Sequence, residues 1–222
     1  MGAGERALDF IEDGQLVGLG TGRAATAFVQ ALGDRVKAGL RVRGVPTSDR
    51  TEALARQLGI PLLTLAEAGT LDVCVDGADE VDPNLDLIKG YGGALVREKI
   101  VAASARMLVI LVGVEKLVPK LGARGKLPIE VVPFGLPLAT RRLRELGCDP
   151  RLRQVSDGAL YVTDNGNAIL DCGIPPLDDP GRFERDLQAI PGIVGTGLFL
   201  GMAHAVIVED GDRVEVRRRV AT

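Results

Sequence analysis

The stretch from Val75 to Glu98 reads VDGADEVDPNLDLIKGYGGALVRE and brings together Asp76, Asp79, Lys89, the turn Gly90-Tyr91-Gly92-Gly93, and Glu98. Carboxylates can carry protons, a lysine and backbone N–H groups can steady an oxyanion, and glycines let backbone approach a ligand closely. Glu98 is the most informative of these. With a helix beginning at Ala94, its neighbours at i−4, i+3, i+4 and i+7 are Ala94, Val101, Ala102 and Ala105, so that face offers no lysine or arginine partner. A carboxylate shielded in this way is expected to hold its proton more tightly than one in water, which suits a base working near neutral pH. From the sequence alone two blander readings stay open. One is a solvated acidic loop, since Glu80, Asp82 and Asp86 lie close by; the other is a surface lysine before a turn. A calcium loop does not fit, because the D-x-[DN]-x-[DN]-G spacing is missing.

The single histidine, His204, narrows the chemistry further. A Ser-His-Asp triad or a poly-histidine metal site would have to be built on it. It lies in LGMAHAVIVED among small and apolar residues, where a packed core or interface role is expected. Acid–base work therefore falls to carboxylates and lysines. Cys74, Cys148 and Cys172 are far apart in the sequence with no CxxC spacing, so neither a zinc knuckle nor a redox pair is suggested. An odd cysteine count fits a reducing compartment, and the N-terminal MGAGERALDFIEDG has neither the basic start nor the apolar run of a secretory leader. Arg6 stands where a myristoylation motif needs Ser or Thr. No apolar run reaches the roughly 18 residues of a membrane span, and a cytoplasmic location is expected. A net charge of −3 argues against nucleic acid or an anionic membrane as partner, but not against a small anionic substrate.

The elements that must position these groups alternate. QLVGLGTG, RVRGVPTS, LDVCVDGAD and MLVILVG read as strands, and RAATAFVQALGDRVKAG, DRTEALARQLG and ALVREKIVAASA as helices, with Ser48 or Asp49 capping the second of them. This order predicts an α/β fold with a parallel sheet covered on both faces. After Lys126 the pattern changes. IEVVPF reads as a strand and PLATRRLRELG as a helix; RLRQV, LYVT and NAILDC then form a meander with a turn at Asp164-Asn165-Gly166, followed by the helix PGRFERDLQAI. That describes a smaller α+β unit of the split βαβ, ferredoxin-like kind. IVGTGLF and AVIVED are expected to return to the first sheet. The predicted organisation is a Rossmann-like catalytic domain of residues 1–127 and 195–222, with residues 128–194 inserted.

VGLGTG sits between the first strand and its helix, where backbone N–H groups and the helix dipole can hold a phosphate. It is not a dinucleotide fingerprint: the third glycine falls on Arg23, and the second strand ends in Ser48 rather than an acidic residue. No GK[ST] follows, so it is not a Walker A loop either. A tight packing turn is the alternative. A phosphate cradle combined with two aspartates, a lysine, a donor-rich turn and a shielded glutamate suits proton transfer between adjacent carbons of a phosphorylated sugar, through an enediolate. A hydride-shift isomerase would need metal ions, usually held by histidines, so the enediol route is favoured.

Taken in order, VGLGTG, GVPTS, DGADE, IKGYGGALVREKI, GKLPIEVVPF, TDNGNAILD and PGIVGTGLF resemble the A-type ribose-5-phosphate isomerase family over nearly the whole chain. The resemblance implies interconversion of ribose 5-phosphate and ribulose 5-phosphate in the non-oxidative pentose phosphate pathway, with no metal or organic cofactor, by a homodimer or a larger homo-oligomer. By the same resemblance Glu98 is the base that moves the proton between C1 and C2. Asp76 assists opening of the furanose ring, and Asp79 binds sugar hydroxyls. Lys89 and the Gly90–Gly93 backbone steady the oxyanion. Lys126 contacts substrate, with Lys116 and Lys120 as weaker candidates. Thr21, Gly22, Arg23 and Ala24 would surround the phosphate, and Gly77, Ala78, Tyr91 and Gly92 would complete the lining. The chain departs from the family's GTGST loop by reading Gly20-Thr21-Gly22-Arg23-Ala24, which removes two hydroxyls and adds a guanidinium. Arg23 is expected to bind the phosphate directly, the opposite expectation being that it points to solvent. A sugar-phosphate sensor without turnover and an isomerase of another phosphosugar are the rival readings; a sensor has no need of the base.

Overall fold

Apolar runs form the strands and runs with a helical period form the helices in the computed structural model, which describes residues 2–219. A short helix α1 (Ala3–Arg6) leads to β1 (Leu16–Leu19), α2 (Arg23–Lys37), β2 (Arg43–Pro46), α3 (Asp49–Gln57), α4 (Leu65–Ala68) and β3 (Leu71–Gly77). Two short strands, β4 (Glu80–Val81) and β5 (Leu87–Ile88), precede α5 (Leu95–Ala103) and β6 (Ala105–Gly113). The chain continues through β7 (Lys126–Val131), α6 (Leu136–Glu145), β8 (Asp149–Leu152), β9 (Ala168–Gly173), α7 (Pro180–Gln188) and β10 (Ile193–Thr196). It ends with β11 (Leu198–Phe199), β12 (Ala205–Asp210) and β13 (Arg213–Arg218). No helix among the described residues is long and apolar enough to cross a membrane.

Two compact units result. The first comprises Met1–Ala78, Arg97–Leu117 and Gly201–Thr222; the second comprises Asp79–Val96 and Val118–Leu200. The expected boundaries, 1–127 and 195–222 around 128–194, differ from this division, and their outermost positions 1 and 220–222 lie outside the described residues. Residues 79–96 and 118–127 join the second unit because β4 and β5 pair with β11, and because Val118 N–H bonds to Val81 O. IVGTGLF likewise does not return to the first sheet: β10 pairs with β7, and β11 with β5.

In the first unit the sheet order is β13-β12-β6-β3-β1-β2. All neighbours are parallel except the edge strand β13, which pairs antiparallel with β12 and was not foreseen. The parallel strands follow the doubly wound order 2-1-3-4-5 rather than the dinucleotide-binding order, and the order reverses between β1 and β3. Phe28, Val29 and Leu32 of α2 are buried against Val17, Leu19, Val73 and Val75. Each such side chain contributes about 1.5–3 kcal/mol by leaving water. On α5 the first helical residue is Leu95 rather than Ala94, and Ala105 already belongs to β6. The helix stops where Ser104 turns its hydroxyl back onto Ile100 O, before the β-forming run MLVILV.

In the second unit the sheet order is β10-β7-β9-β8, antiparallel throughout, with α6 between β7 and β8 and α7 between β9 and β10. This fits the ferredoxin-like, split βαβ arrangement. Leu127, Ile129 and Val131 point to a core with Ala139, Leu143, Leu170 and Leu187. The alternate residues Lys126, Pro128 and Glu130 share the other face. Fully buried Glu130 accepts from Thr163 Oγ1 at 3.0 Å, Asn165 Nδ2 at 3.1 Å and Asn167 Nδ2 at 2.9 Å, which anchors the turn at 164–166. LYVT makes only isolated bridges, Gln154 with Leu160 and Val162 with Ala168, rather than the strand expected of it.

Gly18 shows how closely the first unit packs. A Cβ there would meet Val101 Cγ1 at 2.7 Å and Cys74 Cβ at 2.9 Å, so α5 lies directly on β1 and β3. Gly18→Ala is expected to cost about 1–3 kcal/mol by overpacking. A urea unfolding curve checks this: the midpoint should fall at unchanged slope. An unchanged midpoint would contradict the packing described.

Candidate active site

The first unit holds the loop after β1, the end of β3 and the start of α5. Gly20 N–H bonds to Val75 O at 2.9 Å, which extends the β1–β3 pairing into the loop. Asp76, 1% exposed, accepts from Thr21 N–H at 3.0 Å and Gly77 N–H at 2.7 Å through the same oxygen. A Cβ on Gly20 would lie 2.3 Å from Asp76 Oδ1, so only glycine allows this approach. Loop and carboxylate therefore meet at the carboxyl edge of β1 and β3, where the strand order reverses and open α/β sheets bind ligands. Gly77 and Ala78 are half-buried at the end of the same strand.

Thr21 was expected to line the phosphate, but its hydroxyl turns inward. Its Oγ1 lies 2.7 Å from Thr47 Oγ1, 2.8 Å from Ser48 Oγ and 3.1 Å from Thr51 Oγ1. Thr51 Oγ1 donates to Gly20 O at 2.9 Å, and Thr47 Oγ1 to Leu19 O at 3.0 Å. This buried cluster locks the glycine loop to the β2–α3 turn. Of the expected caps of α3, Ser48 or Asp49, it is Ser48 that accepts from Thr51 N–H at 3.1 Å. Thr47 and Thr51 carry no signal in the sequence because their partner stands on a different loop. Gly22, with φ 110°, caps α2, and Arg23 is the first helical residue. Arg23 is exposed on a hollow of about 510 Å³ that Thr26, Arg50 and Thr51 also line, while Ala24 is half-buried.

Glu98 is 3% exposed, on the face of α5 that carries Val101 down onto the sheet. The shielding read from the sequence is thus present. His204 is not in the core, which removes that half of its expectation: it is exposed, and its Nδ1 accepts from Leu108 N–H at 3.0 Å on β6. The small residues around it follow the strand, not the imidazole.

The second unit holds Asp79, Lys89, the glycine turn and Lys126. Asp79 Oδ2 accepts from Tyr91 N–H at 3.0 Å, and Gly93 N–H closes the turn onto Gly90 O at 3.0 Å. The N–H groups of Gly90 and Gly92 have no partner among the described residues. The solvated acidic loop is overturned. Fully buried Glu80 accepts from Gly122 N–H at 2.7 Å and Arg124 N–H at 2.8 Å, and Asp82 Oδ1 accepts from Asn84 and Asp86 N–H at 2.9 and 2.8 Å. The surface lysine is overturned too, since Lys89 is 2% exposed with its Nζ 5.4 Å from the Phe199 ring centre. Lysines are almost never buried so deeply unless paired.

Tyr91 donates its hydroxyl to Lys126 O at 3.2 Å. Burial, and then the carboxylates of Asp79 and Glu80, push its phenol well above the usual range, so it stays protonated. Lys126 is engaged within the unit: its Nζ lies 3.3 Å from Asp171 Oδ2 and 4.6 Å from the Tyr91 ring centre. Lys120 forms an exposed ion pair with Asp178, and Lys116 ends a short 3₁₀ turn.

The family described as ribose 5-phosphate isomerase A (phosphoriboisomerase A) matches residues 43–213. Ribose-5-phosphate isomerase A of Roseiflexus castenholzii is 52% identical over 214 residues, covering 96% of this chain and 92% of the relative. Among solved structures, ribose 5-phosphate isomerase A of Methanocaldococcus jannaschii is 38% identical with a TM-score of 0.93, covering 97% of this chain and 96% of that one. A D-ribose-5-phosphate isomerase in complex with phospho-erythronic acid is 41% identical with a TM-score of 0.94, covering 98% and 96%. By the glycine loop, the DGADE strand end and the KGYGG turn, as by these likenesses, the chain belongs to the ribose 5-phosphate isomerase A family.

Proposed function

We propose that the protein interconverts D-ribose 5-phosphate and D-ribulose 5-phosphate, an aldose–ketose isomerisation of the non-oxidative pentose phosphate pathway, by proton transfer through an enediolate. The observation that carries this reading is Glu98, a carboxylate withdrawn from water on the sheet-facing side of α5 in a chain of this family. Asp76 assists opening of the furanose ring by moving a proton between the ring oxygen and the anomeric hydroxyl. Glu98 then removes the proton from C2 of the open aldose and returns it to C1, while the carbonyl oxygen gains a proton and the C2 hydroxyl loses one. The charge that develops on oxygen is steadied by the Lys89 ammonium and by N–H groups of the Gly90–Gly93 turn. Asp79 binds sugar hydroxyls and holds the turn through Tyr91 N–H.

The phosphate rests at the start of α2, where Gly22, Arg23 and Ala24 supply N–H groups and a guanidinium. Thr21 contributes by keeping that loop in place. Gly77 and Ala78 line the sugar beside Asp76, and Lys126 contacts substrate to the extent that it leaves Asp171. The reading includes a homodimer and a cytoplasmic location, the latter in keeping with three buried cysteines that form no disulfide among the described residues. It needs neither metal nor organic cofactor, and a sugar-phosphate sensor would have no use for the buried base.

Conversion of ribose 5-phosphate in the presence of EDTA, compared between wild type and Glu98→Gln, tests the reading. Wild type should turn over, and the variant should lose about 10²–10⁴-fold in kcat. Retained activity in the variant would remove Glu98 as the base. Arg23→Ala should raise KM for ribose 5-phosphate about tenfold, equivalent to roughly 1.4 kcal/mol of binding, with a smaller change in kcat. An unchanged KM would show that the guanidinium does not touch the phosphate.

A further inference from the structure

The glycine turn of the second unit is gripped by a side chain far from it in sequence. Arg153 Nη1 donates to Gly90 O and to Tyr91 O, each at 3.2 Å. The same guanidinium bonds both oxygens of Asp171, with Nε 2.8 Å from Oδ2 and Nη2 on Oδ1. Its side chain is only 10% exposed, and the Tyr161 ring centre lies 5.6 Å away. Backbone bonds pin the residue as well, Arg153 N–H to Ile169 O at 2.9 Å and Tyr161 N–H to Arg153 O at 3.0 Å.

The consequence follows from peptide geometry. In a trans peptide the C=O and N–H of one unit point in opposite directions. Holding Gly90 O therefore turns Tyr91 N–H the other way, onto Asp79 Oδ2 at 3.0 Å. Holding Tyr91 O turns Gly92 N–H the other way, and that group, on an exposed residue, has no partner among the described residues. One guanidinium thus sets two adjacent peptide planes, and its planar fork of five donors lets it bond two carbonyls and both oxygens of a carboxylate at once. Lys126 Nζ, 3.3 Å from Asp171 Oδ2, adds a second cation to the same carboxylate.

We infer that Arg153, fixed by Asp171, is a positioning residue of the isomerisation: it sets the Gly90–Gly93 turn so that Gly92 N–H meets the enediolate oxygen and Asp79 stays in place for the sugar. This rests on the isomerase reading above and adds to it a side chain that does not touch substrate.

The test is steady-state kinetics of ribose 5-phosphate isomerisation for wild type, Arg153→Ala, Arg153→Lys and Asp171→Asn, each with its melting temperature, and with guanidinium chloride at millimolar, non-denaturing concentration. Arg153→Ala should lose about 10–100-fold in kcat, in the range of a misdirected oxyanion donor, with KM within about threefold of wild type. Added guanidinium should restore part of that kcat, and Arg153→Lys should resemble the alanine variant because it lacks the fork. If Arg153→Ala does not fold, Asp171→Asn, which keeps the shape and frees the guanidinium, should show the same loss in kcat. Wild-type kcat in either folded variant would overturn the inference. So would a loss without guanidinium rescue that tracks the melting temperature, since that is the signature of a merely structural ion pair. Absence of turnover in wild type would instead overturn the isomerase reading, and the oxyanion role with it.

Discussion

The arrangement of the first unit depends on one carboxylate. Asp76 ends β3 with its Oδ1 between the N–H groups of Thr21 and Gly77, so the strand end and the loop after β1 form one rigid edge. Charge-assisted bonds of this kind are among the stronger polar contacts available to a protein. The loop cannot move without unpairing a buried acid, and Gly20 cannot carry a side chain without displacing it. The hydroxyl cluster of Thr21, Thr47, Ser48 and Thr51 then braces the loop against the next strand–helix turn. The acid proposed to assist ring opening is thus also one on which the architecture depends.

The second unit solves a similar problem with different means. Its glycine turn has no regular strand or helix to shape it, so its peptide planes are held from outside by Asp79 at one N–H and by Arg153 at two carbonyls. Several charges there are withdrawn from water: Lys89 and Glu80 are buried, and the Arg153–Asp171 pair is half-buried. Burying charge is unfavourable unless the group is bonded, and each of these has identifiable partners. Glu80 holds the chain at Gly122 and Arg124, which carries the neighbouring Lys126 strand into position. Around the turn polar groups do the holding, beside the unit's own apolar core of Leu127, Ile129 and Val131.

Much of this was legible in the sequence. The apolar runs LVGL, LDVCV and MLVILV became parallel strands, and the change of pattern after Lys126 announced the smaller α+β unit. Glu98 was recognisable as shielded because helical spacing alone places Ala102 and Val101 beside it. The boundaries were less legible, because β4, β5 and β11 are two-residue strands and β11 joins β5 from more than a hundred residues away. The burial of Lys89 and Glu80 was hidden for a related reason: local sequence around a charge says nothing of the ring or amides that will cover it.

What the sequence by itself determined is the type of the longer elements and the chemical inventory, since period, capping residues and side-chain identity are local properties. It placed acids, lysine and glycines in order along one stretch and pointed, through VGLGTG and KGYGG, to a phosphosugar isomerase. Only the tertiary structure decided how those groups are aimed. The inward turn of the Thr21 hydroxyl, the occupation of Lys126 by Asp171 and the grip of Arg153 on Gly90 and Tyr91 all join residues distant in the chain. Hydrogen bonds act over about 3 Å in space and take no account of sequence separation, so such pairings exist only once the fold has brought their ends together.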